Sequence, residues 1–233
     1  TARTTHPHVK VYREERERPV IVVVDFAASM FFGTKVAFKS VVAAQVAALL
    51  TWATVFGGDR IGAVLLTDKK DHVFMPERRT AAALRILKAL SLVTQHQGQT
   101  HLVECLARLQ RTAPKGSVIV LLSDFETFNQ SLERELSQLS RRHQLVAGLI
   151  YDPLESDIPD IGVCQFTNGQ EYLQLNTQSR TLRLQYHQQF LQKVQTIEKA
   201  VGQMGQSVFQ LATNQHILPV LHDVLQRIGG IHA

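Results

Sequence analysis

Three uninterrupted apolar runs, each ending in an aspartate, constrain the fold of this chain more than any other feature. They span 19–25 (PVIVVVD), 117–124 (SVIVLLSD) and 145–152 (LVAGLIYD). Continuous apolar runs are typical of parallel strands that helices cover on both faces. Helical patterns lie between these runs, which indicates βαβ units. The sequence therefore predicts a Rossmann-like α/β fold, a mostly parallel sheet flanked by helices, with a binding crevice at the carboxyl ends of the strands.

Shorter patterns complete the predicted element order. Alternating residues on either side of Asn168-Gly169 predict a small β-hairpin insertion over 162–176, because Asn-Gly favours a tight hairpin turn. A short strand at 71–75 is expected to pair with a strand at 60–67 through a turn at Lys69-Lys70. The other patterns predict a last strand at 207–212 and helices at 35–56, 80–92, 101–111, 130–142, 182–204 and 217–228.

The length of the chain suits one large domain. Of its 233 residues, 45% are apolar and 19% are charged, so a packed core is expected. We divide the chain into a polar lead-in at 1–18 and one α/β domain at 19–233. Two cysteines exclude a disulfide-rich secreted scaffold and a four-cysteine zinc site. The chain starts without Met and without a signal-like segment, so we expect a fragment of a longer, cytoplasmic protein.

One stretch could be interpreted as a membrane span. Residues 40–57 carry no charge over eighteen positions, which meets the lower limit of length for a span. The stretch is rich in alanine and contains Gln45, Thr51 and Thr54. It also lies between two predicted strands. A buried helix of the α/β domain is the favoured interpretation, and no membrane partner is expected within this chain.

The motifs of several functional classes are missing. The loop after the first strand, 26–35, has one glycine, and neither GxGxxG nor GxxxxGK[ST] occurs, which argues against nucleotide binding. GxSxG is also absent. Cys105 and Cys164 are expected to be packed side chains rather than nucleophiles. The net charge of +5 is too small and too evenly spread to indicate nucleic-acid binding.

Oxygen-bearing side chains are expected to converge where the strands end. Asp25 ends the first strand, and Ser29 lies in the loop that follows it. Thr100 precedes a helix, and Asp124 ends the central strand. Carboxylate and hydroxyl oxygens are the ligands that magnesium prefers. The structural alternative is that Asp25 caps its loop, Ser29 starts the first helix and Thr100 caps the helix near 101.

The order of these residues resembles that of von Willebrand factor A domains. The shared features are Asp-x-x-x-Ser-Met at 25–30, Gly-x-Thr at 98–100 and a strand ending in Ser-Asp at 123–124. The chain is more closely similar to the bacterial domain-of-unknown-function family 58, which has a lead-in similar to residues 1–19 and a motif similar to that at 58–62 (GDRIG). The resemblance covers essentially the whole chain and implies a von Willebrand factor A-like fold.

The resemblance also implies a metal-ion-dependent adhesion site, with one departure. The family pattern DxSxS is replaced by DxAxS, and Ala27 supplies no oxygen. Magnesium or manganese is therefore expected to bind weakly, with water in the missing position, and a metal-free crevice is the open alternative. The residues that the resemblance assigns to the metal are Asp25, Ser29, Thr100 and Asp124.

The resemblance implies a non-catalytic protein-interaction module. Members of the family are often associated with MoxR-type AAA+ ATPases, so we expect an adaptor that works with such an ATPase. Phe31 and Phe32 follow the metal loop and are candidate partner-binding residues, unless one of them packs under the first helix. The alternative function is a divalent-metal-dependent hydrolase that uses the strand-end residues Asp25 and Asp124, with Asp152 as a further carboxylate.

Overall fold

The computed structural model describes residues 18–94, 98–167 and 172–228. Within these ranges, six strands form one sheet: β1 (Val20–Asp25), β2 (Ile61–Leu66), β3 (His72–Glu77), β4 (Val118–Ser123), β5 (Gln144–Tyr151) and β8 (Ser207–Ala212). Their order across the sheet is β3-β2-β1-β4-β5-β8. Neighbouring strands are parallel, except that the edge strand β3 runs antiparallel to β2. The predicted mostly parallel sheet is confirmed.

Two further strands form a small separate sheet. β6 (Val163–Thr167) pairs antiparallel with β7 (Tyr172–Asn176), which confirms the predicted hairpin insertion. The predicted Asn168-Gly169 turn lies outside the described residues, as does almost all of the predicted lead-in at 1–18.

Helices cover both faces of the main sheet. α1 (Lys39–Phe56), α2 (Thr80–Ser91) and α7 (Ile217–Ile228) contribute buried residues to the core on one face. α3 (Leu102–Thr112), α4 (Gln130–Ser140) and α6 (Arg180–Gln203) contribute to the core on the other face. Alternate residues of β1 enter the two cores, Val22 on one face and Val23 on the other. This two-sided burial explains the uninterrupted apolar runs of the sequence.

Helix α1 has a buried face and an exposed one. It is long and apolar enough to cross a membrane, with a mean hydropathy of 1.4, and half of its residues are buried within the protein. Val42, Val46 and Leu50 lie on the buried face and join the core. This packing favours the interpretation of α1 as a helix of the α/β domain.

Two predicted boundaries near the carboxyl ends of the strands were wrong. The first helix begins at Lys39 and not at residue 35, because residues 32–38 form a tight loop in which Lys39 N–H donates to the Phe32 carbonyl at 2.9 Å. The polar segment 153–160 was predicted to be a loop, but it begins with the short helix α5 (Pro153–Ser156). Its length of four residues is too short for a periodic pattern in the sequence.

Candidate functional site

Asp25 is the centre of a buried hydrogen-bonded group at the end of β1. The Thr100 hydroxyl donates to Oδ1 at 2.6 Å, and the Ser123 hydroxyl donates to Oδ2 at 2.7 Å. The backbone N–H of Ala27 also donates to Oδ1, at 3.1 Å. Both carboxylate oxygens are thereby satisfied, as buried polar atoms require. Asp25 caps its loop, whereas Thr100 bonds to Asp25 and leaves α3 without a side-chain cap.

Asp124 lies next to Asp25 and contacts a buried lysine. Its Oδ2 accepts a hydrogen bond from Lys39 Nζ at 2.8 Å, and its Oδ1 accepts one from the Glu126 N–H at 3.1 Å. The Ser29 side chain lies close enough to Asp124 to help lower the pKa of that carboxyl. The four predicted site residues therefore lie together as two neighbouring pairs, Asp25 with Thr100 and Asp124 with Ser29. We call these four residues, together with their neighbours Lys39, Ser123 and Glu155, the crevice. Its residues are Asp25, Ser29, Lys39, Thr100, Ser123, Asp124 and Glu155.

Burial and charge shift the pKa values in the crevice in different directions. Burial raises the pKa of Asp25, and the hydrogen bonds from Thr100 and Ser123 offset only part of that effect. Burial would also raise the pKa of Asp124, but the charge and hydrogen bond of Lys39 lower it below its ordinary value. Burial would lower the pKa of Lys39, but its two carboxylate partners raise it. Lys39 and Asp124 therefore form a charged pair at neutral pH.

Glu155 is the second carboxylate bound to Lys39, with Oε1 2.6 Å from Nζ. A capping box holds it in place: the Asp152 N–H donates to Glu155 Oε2 at 2.8 Å, and Asp152 Oδ1 accepts from the Leu154 N–H at 3.0 Å. The predicted further carboxylate, Asp152, is fully buried. The hydroxyls of Thr34 and Thr213 donate to it at 2.6 and 2.7 Å. Asp152 therefore anchors the loops that contain Thr34 and Thr213, and its oxygens are not available to act as a general base.

The crevice has the oxygen types of a magnesium site but not a free arrangement of them. Ala27 offers no side-chain oxygen, and its backbone N–H already donates a hydrogen bond to Asp25 Oδ1. Lys39 occupies Asp124 Oδ2. Within the described ranges, no group of three or more His, Cys, Asp or Glu side chains is arranged to hold a metal. As arranged, these residues do not fit a divalent ion, which favours the metal-free crevice over the weak binding of magnesium or manganese that the sequence predicted. Metal titration is the test between the two.

The loop beside the crevice exposes apolar side chains. We call residues 32–41 the rim segment; it joins a short 3₁₀ helix (Ala28–Phe31) to the first turns of α1. The exposed fractions of Phe32 and Phe38 are 39% and 47%, and Val36 and Val41 are exposed as well. Phe31, in contrast, packs against the core and lies 6.5 Å from the ring of Phe26. Of the two predicted aromatics, Phe32 is therefore the more accessible to a partner.

A small pocket extends the crevice toward α6. It has a volume of about 260 Å³, and Asp124 and Glu155 line it together with Tyr151, Tyr186 and Phe190. Lys193 also lines it and forms an ion pair with Glu126 at 2.9 Å. The mixture of carboxylates and aromatic rings could accept an amphipathic side chain of a partner. Two larger clefts, of about 570 and 560 Å³, lie along α4 and away from the crevice.

The sequence analysis missed Lys39 and Glu155. Lys39 is separated from Asp124 by 85 positions and from Glu155 by 116, so no local pattern connects them. One signal was present: Lys39 is the last charge before the long uncharged stretch of α1. A cation at a helix N-terminus opposes the helix dipole, so a lysine there needs carboxylate partners nearby.

The sequence of this chain is similar to a known protein family and to curated proteins. The sequence profile of the family described as "Protein of unknown function DUF58" matches residues 1–196. The uncharacterised protein Rv1480 of Mycobacterium tuberculosis is 31% identical over 165 residues, which are 70% of this chain and 51% of that protein. The chain thus spans about half the length of the curated relatives that it matches.

Solved structures share the fold at low sequence identity. The BatB protein of Bacteroides thetaiotaomicron superposes with a TM-score of 0.59 and 13% identity, over 92% of this chain and 98% of that chain. The SpRpn10 VWA domain superposes with a TM-score of 0.51 and 13% identity, over 93% and 99% of the two chains. These similarities establish a von Willebrand factor A-like fold, as the sequence analysis expected.

Proposed function

The chain belongs to the DUF58 family of proteins of unknown function, and from that premise we propose that it is a non-catalytic protein-interaction module. Its docking face consists of the rim segment and the partly exposed edge of the crevice, which is formed by Ser29, Thr100 and Glu155. The observation that carries the proposal is the exposure of apolar side chains along the rim segment, next to a cluster of buried charges. These side chains are Phe32, Val36 and Phe38 of the loop and Val41 of the first turn of α1. Exposed apolar side chains with charged neighbours are typical of protein–protein interfaces.

The rim segment is held in a fixed place, which lowers the entropy cost of docking. Thr34 bonds to Asp152 near one end of the segment, and Lys39 bonds to Asp124 near the other. Lys39 N–H also donates to the Phe32 carbonyl. The Phe32 ring lies 5.9 Å from Lys39 Nζ, within the range of a cation–π contact. The aromatic anchor is thereby tied to the crevice.

The partner that we propose is a MoxR-type AAA+ ATPase, for which the chain serves as an adaptor. The support for this partner is the membership of the family. The rim segment beside the crevice is the surface on which we expect the ATPase to dock.

The hydrogen bonds of the crevice support a non-catalytic role. In the described residues, the oxygens of Asp25 and Asp124 already accept hydrogen bonds from protein donors, which suits a structural role better than the role of a general base.

The experiment is a binding titration between this chain and a MoxR-type ATPase encoded in the same genome. A double variant, Phe32→Ala with Phe38→Ala, should weaken binding by about tenfold or more, because truncated aromatic anchors dominate interface energies. The matched control is Phe56→Ala. Phe56 is 83% exposed at the other end of α1 and should leave binding unchanged.

Three outcomes would contradict the proposal in separate ways. Failure of the ATPase to bind at about 100 μM, a concentration well above that of a useful complex, would remove this partner. Equal weakening by the Phe56 variant would move the docking face elsewhere on α1. Hydrolysis of phosphate esters with magnesium or manganese, lost on Asp124→Asn, would replace the interaction module with the hydrolase.

A further inference from the structure

Lys39 is a buried cation at the place where the resemblance expects a metal. Its side chain is 1% exposed, and its Nζ lies 2.8 Å from Asp124 Oδ2 and 2.6 Å from Glu155 Oε1. Lysine is almost never fully buried unless it is paired, because removing a charge from water is costly. The first turn of α1 adds to this cost, since the helix dipole is positive there. Two carboxylates offset both effects.

The partner carboxylates are prepared for this ammonium. Glu155 comes from α5, where the Asp152 N–H fixes Oε2 at 2.8 Å and leaves Oε1 for Lys39. Asp124 is the last ligand in the adhesion-site pattern, and its Oδ1 accepts the Glu126 N–H, which leaves Oδ2 for Lys39. Each carboxylate therefore gives one oxygen to the backbone and one to the ammonium.

Two features of the crevice act against a divalent ion. Ala27 removes an oxygen that a divalent ion would require, and Lys39 adds a fixed positive charge on Asp124. Lys39 by itself supplies a positive charge to these carboxylates, and Ala27 removes an oxygen with which a divalent ion could be held in its place. Together they replace a diffusible ion by a covalently attached one.

We propose that the Lys39 ammonium takes the place of the divalent cation, so that the crevice is built and stabilised without metal. This inference deepens the proposed function and rests on it only for one consequence, that docking on this face requires no divalent ion. The geometry of the crevice can be tested without any partner, so failure of the two proposals can be told apart.

The experiment is calorimetric titration of magnesium and of manganese into four proteins: the parent chain, Ala27→Ser, Lys39→Met, and the double variant Ala27→Ser with Lys39→Met. The parent and Ala27→Ser should show no saturable heat up to about 10 mM, whereas the double variant should bind with a dissociation constant of roughly 1 mM or tighter. Lys35→Met is the matched control, because Lys35 is an exposed lysine of the same loop. It should behave as the parent does.

Thermal unfolding supplies a second readout. Lys39→Met should lower the unfolding temperature by about 10 °C, because it leaves two carboxylates without their cation. Millimolar magnesium should restore part of this loss in the double variant and should not stabilise the parent. Lys35→Met should not change the unfolding temperature.

Saturable binding by the parent that is lost on Asp25→Ala would overturn the proposal, and so would binding by Ala27→Ser while Lys39 is present. A folded double variant that binds neither ion would also overturn it, since Lys39 would not then occupy the cation's place. If Lys39→Met does not fold, the Ala27→Ser titration still decides, because that variant keeps the ammonium and gains the missing oxygen.

Discussion

Thr34 and Asp152 are joined by two hydrogen bonds across 118 positions of the chain. The Thr34 N–H donates to Asp152 Oδ2 at 3.0 Å, and its hydroxyl donates to Oδ1 at 2.6 Å. Burial would raise the pKa of Asp152, but these bonds, with those from Leu154 and Thr213, lower it below its ordinary value. The pair ties the rim segment to the end of β5, which places the exposed aromatics beside the crevice.

This relationship predicts that Asp152→Asn destabilises the protein by about 2–4 kcal/mol, because an amide cannot accept from four donors and leaves some of them unsatisfied. The unfolding temperature should fall by about 5–10 °C. The control is Asp160→Asn, which removes a carboxylate that is half exposed and pairs with Arg183. Since exposed ion pairs contribute little, that variant should change the free energy of unfolding by less than about 1 kcal/mol. Equal effects of the two variants would refute the anchoring role.

A buried histidine predicts how stability depends on pH. His143 is 4% exposed, and neither ring nitrogen has a hydrogen-bond partner within the described residues. Burial lowers its pKa below the ordinary 6.5, and the charge of Arg142 lowers it further. It lines the cleft of about 560 Å³ with Gln110, Arg111, Arg134, Ser137, Gln138, Arg141 and Arg142.

The sign follows from the lowered pKa. As pH falls through 6.5, the unfolded chain binds a proton at His143 while the folded chain does not, so this residue's contribution to stability is lost toward lower pH. His143→Phe should therefore lose less stability than the parent between pH 7 and pH 5, and it should be at least as stable at pH 8. Urea unfolding at each pH measures this difference. Parallel pH profiles for the two proteins would contradict the prediction.

The sequence predicted the sheet from strong local patterns, and it predicted the meeting of Asp25 with Thr100 from the expected strand ends together with the resemblance to von Willebrand factor A domains. An apolar run such as 19–25 indicates a two-sided buried strand, and parallel strands bring their ends to the same edge. Lys39 could not be placed in this way, because its long side chain reaches carboxylates that only the tertiary fold brings near. Phe31 and Phe32 are adjacent in sequence, and only packing against the core distinguishes the partly buried ring of Phe31 from the exposed ring of Phe32.

The two free cysteines should differ strongly in reactivity. Burial raises the pKa of the Cys105 thiol to about 12, and its side chain is 1% exposed. Cys164 is only partly buried. At pH 8 the thiolate fraction of Cys105 is lower than that of an ordinary cysteine by roughly a thousandfold, so iodoacetamide should label Cys164 first.

Peptide mass spectrometry after timed labelling measures the two rates. In Cys164→Ser, the native protein should take up almost no label, and denaturant should expose one reactive thiol. Rapid labelling of Cys105 in the folded Cys164→Ser variant would show that α3 opens readily and would contradict the tight packing of its buried face.

Gly33 is required by a close approach of two backbone segments in the rim segment. A Cβ at this position would lie 2.2 Å from the Ala37 carbonyl oxygen and 2.9 Å from Phe38 Cα, both of which are backbone atoms. Gly33→Ala should therefore displace the loop, disturb the Thr34–Asp152 bonds and cost about 2–3 kcal/mol of stability. Gly202→Ala is the matched control, because a Cβ there meets nothing within 4 Å and Gly202 lies in helix α6. That variant should be stabilised by up to about 1 kcal/mol, since alanine favours helix over glycine. Urea midpoints at a constant m-value measure both changes, and equal stability of the two variants would mean that the rim segment is not held in its tight conformation.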